Sequence, residues 1–191
     1  MELLSGRPVI VASRSVRRLL AVVASLCVAC TATPSRAQQP GVEYAVKATY
    51  LYKFAPFVEW PVGVFASPPA PFVICIAGND PVSVLVDEAA RGQRVGAHPI
   101  EVVHLPSARD VACRVLYVAQ RGPAGAADLR AVRGKPVLTV TDDAEDGHGI
   151  INFVVQDNRV RFEIDQSAAA ENNLVISSKL LNLAVRVRPK V

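Results

Sequence analysis

From Glu43 to Trp60, apolar side chains return at steps of three and four. Tyr44, Ala48, Leu51, Ala55 and Val58 fall on one stripe, the period of an α-helix with a buried face. Pro61 stops the predicted helix, and Pro56 kinks or shortens its last turn. Tyr50, Phe54 and Phe57 carry the apolar surface past half the circumference. That breadth predicts burial on two sides, either inside the fold or against a second subunit.

Beyond a stiff connector, Pro68-Pro69-Ala70-Pro71, the chain alternates short apolar runs with helical stretches. Strands are predicted at Phe72 to Ala77, Pro99 to Leu105, Val115 to Ala119 and Val137 to Thr141. Helices are predicted at Val82 to Ala90 and Asp128 to Val132. Ile150 to Gln156 and Arg159 to Ile164 flank Asp157-Asn158 and read as a β-hairpin. Ser167 to Asn172 and Lys179 to Val187 supply C-terminal helical pieces. Continuous apolar strands between helices predict an α/β three-layer sandwich whose sheet is mostly parallel and covered on both faces. The hairpin makes that sheet mixed. No internal repeat or second-domain boundary interrupts residues 38–191.

Charge changes the picture at the N-terminus. The 191 residues carry a net +4, but residues 1–37 hold five of the 21 basic residues and one of the 17 acids. The remainder has 16 of each sign, so the chain shows no nucleic-acid footprint. Residues 1–37 read as a secretory signal. Arg17-Arg18 closes a basic region, Leu19 to Cys30 is uncharged and apolar, and Ser35-Arg36-Ala37 offers small residues for cleavage. The apolar run is 12 residues, against the ~20 a membrane-spanning helix needs. A periplasmic, exported protein is expected. Val28-Ala29-Cys30 admits a second outcome, a lipoprotein anchored at Cys30. After cleavage at Ala37 only Cys75 and Cys113 survive, and in an oxidising compartment two cysteines form either one disulfide or two buried thiols.

The search for chemistry is negative. Gly78-Asn79-Asp80-Pro81 follows a strand but contains neither phosphate-binding glycine pattern. Asp142 to His148 gathers four carboxylates and an imidazole, yet its spacing fits no EF-hand or zinc set and reads as an exposed acidic turn. His98 and His104 can share a strand face but lie too far apart for one metal. Ser177-Ser178-Lys179 resembles a helix start more than a catalytic dyad. No enzyme, metal or cofactor is expected.

Several segments in order carry a family resemblance: Val46-Lys47-Ala48-Thr49-Tyr50-Leu51-Tyr52-Lys53-Phe54, Val58-Glu59-Trp60-Pro61 and Phe72-Val73-Ile74-Cys75-Ile76. Cys113, Leu138-Thr139-Val140, Gly149-Ile150-Ile151-Asn152-Phe153, Arg161-Phe162-Glu163-Ile164 and Ile176-Ser177-Ser178-Lys179-Leu180-Leu181 complete the series. Together they resemble the YfiR-like periplasmic family. The resemblance implies a non-enzymatic, dimeric α/β regulator with an internal disulfide, for which Cys75 and Cys113 match the family positions. It implies binding to the periplasmic domain of an inner-membrane diguanylate cyclase, which is held inactive, lowering cyclic-di-GMP and biofilm formation. It also implies an OmpA-like outer-membrane lipoprotein that sequesters the repressor. A second cysteine pair of some relatives, around Asp142 to Gly149, has no counterpart here. Lys53, Glu59 and Trp60 are the expected partner contacts, because aromatic and charged residues together mark interface centres and rims. The competing reading is a small-molecule-binding module serving a different sensor kinase or transport system.

Overall fold

The computed structural model describes residues 40–65, 70–108, 112–142 and 148–190. The expected signal segment, Cys30, Pro68-Pro69 and most of the acidic turn lie outside them. The chain opens with α1 (Pro40–Lys53), a 3₁₀ turn (Ala55–Phe57) and β1 (Val58–Glu59). Next come β2 (Phe72–Ala77), α2 (Pro81–Ala90), β3 (Arg94–Val95), β4 (His98–Leu105), β5 (Val115–Val118) and α3 (Gly122–Ala131). The last part holds β6 (Leu138–Asp142), β7 (Ile151–Gln156), β8 (Arg159–Asp165), α4 (Gln166–Glu171), β9 (Val175–Ile176), α5 (Ser178–Leu181) and β10 (Arg186–Arg188).

Eight strands form one sheet in the order β10-β8-β7-β6-β5-β2-β4-β3, while β1 and β9 pair separately. Only β7 with β8 and β3 with β4 run antiparallel in the large sheet, so the mixed, mostly parallel α/β expectation holds. Side chains of alternate parity feed two cores. One face presents Phe72, Ile74, Tyr117, Leu138, Ile151, Phe153 and Ile164 beneath Ala48 and Leu51 of α1. The other presents Cys75, Ala77, Leu116 and Val118 to Leu129 of α3. Burying a side chain such as Leu51 stabilises the fold by about 2 kcal/mol.

The elements depart from the sequence pattern in three places. The first helix ends at Lys53, and Pro56 falls in the 3₁₀ turn. Proline fits the first turn of a helix, where its missing N–H is not required. The third helix begins at Gly122, six residues ahead of Asp128, with Pro123 in its first turn. The final helical prediction is corrected most: Lys179 to Val187 is helical only as far as Leu181, and Arg186–Arg188 forms a strand parallel to β8. Extending the sheet edge satisfies backbone groups of β8 that water would otherwise have to serve. The hairpin is as read. Asp157 and Asn158 both take positive φ, the backbone of a two-residue hairpin turn matched to the strand twist.

β6 and β7 are adjacent and parallel, and the described part of their connection, residues 148–150, is not helical. Residues 148–150 return along the α3 side of the sheet, where Gly149 N donates to Thr141 Oγ1 at 3.1 Å and Ile150 N to Thr139 Oγ1 at 2.9 Å. The two threonines are buried and satisfy the backbone donors of Gly149 and Ile150 at the entry to β7.

Candidate partner-binding surface

The α1 end of the molecule is built around aromatic rings. Phe54 packs on Phe162 with centroids 5.2 Å apart and on Phe153 at 5.9 Å; Tyr50 stacks on Phe54 at 5.5 Å. Phe54 is buried, and Tyr50 and Phe57 are half-buried. The breadth of the helix thus has its explanation: one side enters the core and the next forms a wall. Between that wall, residues Val160 to Phe162 of β8, and Leu180 and Leu183 runs a groove of about 150 Å³. Lys53 and Arg161 are its charged lining residues. Leu183 is 62% exposed, which for a large aliphatic side chain beside an apolar groove leaves surface without a partner.

The three expected contact residues are not gathered in one place. Lys53 is exposed, its Nζ 5.1 Å from the centroid of the Tyr52 ring, and it alone of the three lines the groove. Glu59 is exposed on β1 opposite Val175 of β9. Trp60 is half-buried in another aromatic group, edge-on to Phe65 at 5.7 Å and Phe72 at 5.9 Å, with Nε1 donating to the Ala55 carbonyl at 3.4 Å. Its ring closes the core at the start of β2. Arg161 entered the sequence reading only within the family-like segment Arg161-Phe162-Glu163-Ile164, and Leu183 not as a contact at all, because the connection from α5 to β10 that sets it beside α1 has no local signature.

Cys75 and Cys113 are joined by a disulfide, with Cα atoms 5.7 Å apart across 38 positions. Both are buried. Cys75 lies in β2 and Cys113 two residues ahead of β5, its hydrogen-bonded neighbour. The bridge closes the excursion through α2, β3 and β4 and contributes up to ~4 kcal/mol in the chain-entropy account.

At the opposite end of α1 sits a charged cluster that the sequence reading missed. Lys47 is 3% exposed; its Nζ donates to Glu43 at 2.6 Å and to both oxygens of Asp142 at 2.7 and 2.9 Å. Asp142 therefore anchors the start of the acidic turn instead of facing water. Burial pulls the Lys47 pKa down, but its bonds to Asp142 and Glu43 outweigh that and leave it raised. Burial holds the Asp142 carboxyl above its ordinary range, against the pull of Lys47. The signal available in the sequence was a lysine beside the apolar stripe. Its partner 95 residues away was not legible.

The Gly78 turn carries a capping box: Ser83 N donates to Asp80 Oδ1 at 2.7 Å and Asp80 N to Ser83 Oγ at 2.9 Å. Tyr117 Oη donates to the other Asp80 oxygen at 2.5 Å, and burial, then the Asp80 charge, pushes the phenol pKa up. Asp80 is thus occupied in structure, as the turn reading expected. The histidines have separate surroundings: His98 Nδ1 lies 2.8 Å from the Ala70 carbonyl, His104 Nε2 lies 2.7 Å from Asp87, and His148 is exposed. Among the described residues no group of three metal-ligating side chains converges, and no helix is long and apolar enough to cross a membrane.

Comparison with protein families matches residues 44–185 to a family described as YfiR/HmsC-like. The match runs from α1 to the threshold of β10 and includes both cysteines. Comparison with curated proteins gives no match.

Proposed function

This chain belongs to the YfiR/HmsC-like family, and from that premise we propose that it is an exported repressor of one inner-membrane diguanylate cyclase. The family is one of periplasmic regulators that act with such cyclases. In our reading residues 1–37 direct export and are removed after Ala37. The mature protein, acting as a homodimer without catalysis, binds the cyclase's periplasmic domain and holds the enzyme inactive. An OmpA-like outer-membrane lipoprotein competes for the same repressor. The observation that carries this reading is the extent of the family match, which spans most of the domain rather than one motif.

Release is then a matter of linkage. A competitor frees the cyclase only by as much as it prefers the unbound repressor. Moving the population from 99:1 to 1:99 takes a ~10⁴-fold difference in affinity. Deleting the gene is expected to raise cellular cyclic-di-GMP and biofilm, and intact mass of the exported protein is expected to begin at Gln38. Unchanged cyclic-di-GMP, with no cyclase co-purifying, would replace this reading with that of a small-molecule-binding module.

A further inference from the structure

We propose that the groove between α1, β8 and the residues after α5 seats one large apolar side chain, carried on an acidic segment of the cyclase's periplasmic domain. The inference rests on the repressor reading and adds where, and by what chemistry, the partner docks. Three observations point to this occupant. The first is size: about 150 Å³ matches a cavity that holds a benzene ring, hence one phenylalanine or leucine side chain.

The second is that the groove is preformed. Phe54 and Phe162 are 2% and 6% exposed and pack edge-on against each other. Their rings are fixed before anything binds, and little ordering entropy is lost on association. The third is charge. Lys53 and Arg161 line the groove, no carboxylate does, and neither cation is ion-paired among the described residues. A basic rim around an apolar seat selects a segment with Asp or Glu beside its anchor residue. It also disfavours a second copy docking groove to groove, since that sets like charges face to face.

The test places the photo-crosslinking residue benzoylphenylalanine at Leu183 of the full-length protein, in cells that also make the cyclase. The same residue at Val84, equally exposed on α2, is the control. The expected result is an adduct joining position 183 to a cyclase periplasmic peptide that holds an apolar residue flanked by Asp or Glu. Lys53→Glu and Arg161→Glu should each lower its yield at least ten-fold, while Lys53→Arg retains it. Both reversal variants are to be checked for an intact disulfide and unchanged circular dichroism. An adduct to the protein's own chain would overturn the proposal and make the groove a contact between copies. Cyclase co-purifying without an adduct at 183, or with an adduct indifferent to both reversals, would overturn it and leave the repressor reading standing. Absence of both adduct and cyclase would overturn the two together.

Discussion

Lys47 is a nearly buried cation held by two carboxylates. A lysine this buried is tolerated only because two carboxylates meet it, and removing it would strand both. Lys47→Met should therefore cost about 3 kcal/mol near neutral pH, at the lower end for broken buried pairs, because both acids retain some solvent contact. The pH dependence has a defined sign. A lysine whose folded-state pKa is raised contributes stability that is fully present below its unfolded value of 10.5. That contribution fades as pH rises through the folded value. Thermal melts from pH 8 to 11.5 should show the parent losing stability at the alkaline end, with the loss flattened in Lys47→Met. Asp142 acts in acid: with its folded pKa raised above 3.8, stability falls as pH rises between those two values.

Among the elements, the described end of the crossover from β6 to β7 has a tight point at Gly149. A Cβ on Gly149 would stand 2.8 Å from the Thr139 carbonyl oxygen and 3.2 Å from that of Ile151. Both are backbone atoms of adjacent strands and cannot swing aside. Gly149→Ala should lower stability by about 2–3 kcal/mol, the cost of overpacking, read as a fall in the urea midpoint at unchanged slope. Local period made β2, α2, β4, β5, β6 and the hairpin legible; cysteine count left a bridge or two thiols, and the resemblance pointed to the bridge that the structure holds. What escaped the pattern was set by distant partners. Leu180 and Leu181 continue into Leu183 as a helix would, but the alternation Val185-Arg186-Val187-Arg188 obeys a period of two, and the open edge of β8 decided between them. The groove is legible on its α1 side alone, since the residues that close it come from the last 32 positions.

At the scale of the molecule, the first elements are completed by ones from the second half of the chain. α1 meets Asp142, Phe153 and Phe162, and among the described residues β1 pairs with β9 alone. A chain cut after Asp142 retains β2, β4, β5 and β6 but has lost the hairpin that α1 covers. Such a truncation should be insoluble or bind a hydrophobic dye strongly, whereas removing residues 189–191 should leave the thermal midpoint within about 2 °C, as expected for changes away from packed groups.

The same closure places a demand on time. Contacts between positions so far apart in sequence form late, because the intervening loop must be ordered before they repay its entropy. While the polypeptide emerges N-terminus first, the aromatic side of α1 is made early and waits through more than a hundred residues for Phe153 and Phe162 to cover it. That interval, rather than the finished structure, is where the chain is most open to aggregation. A holding chaperone that recognises the aromatic face of α1 would occupy the surface that β8 later claims, and would be displaced by folding itself.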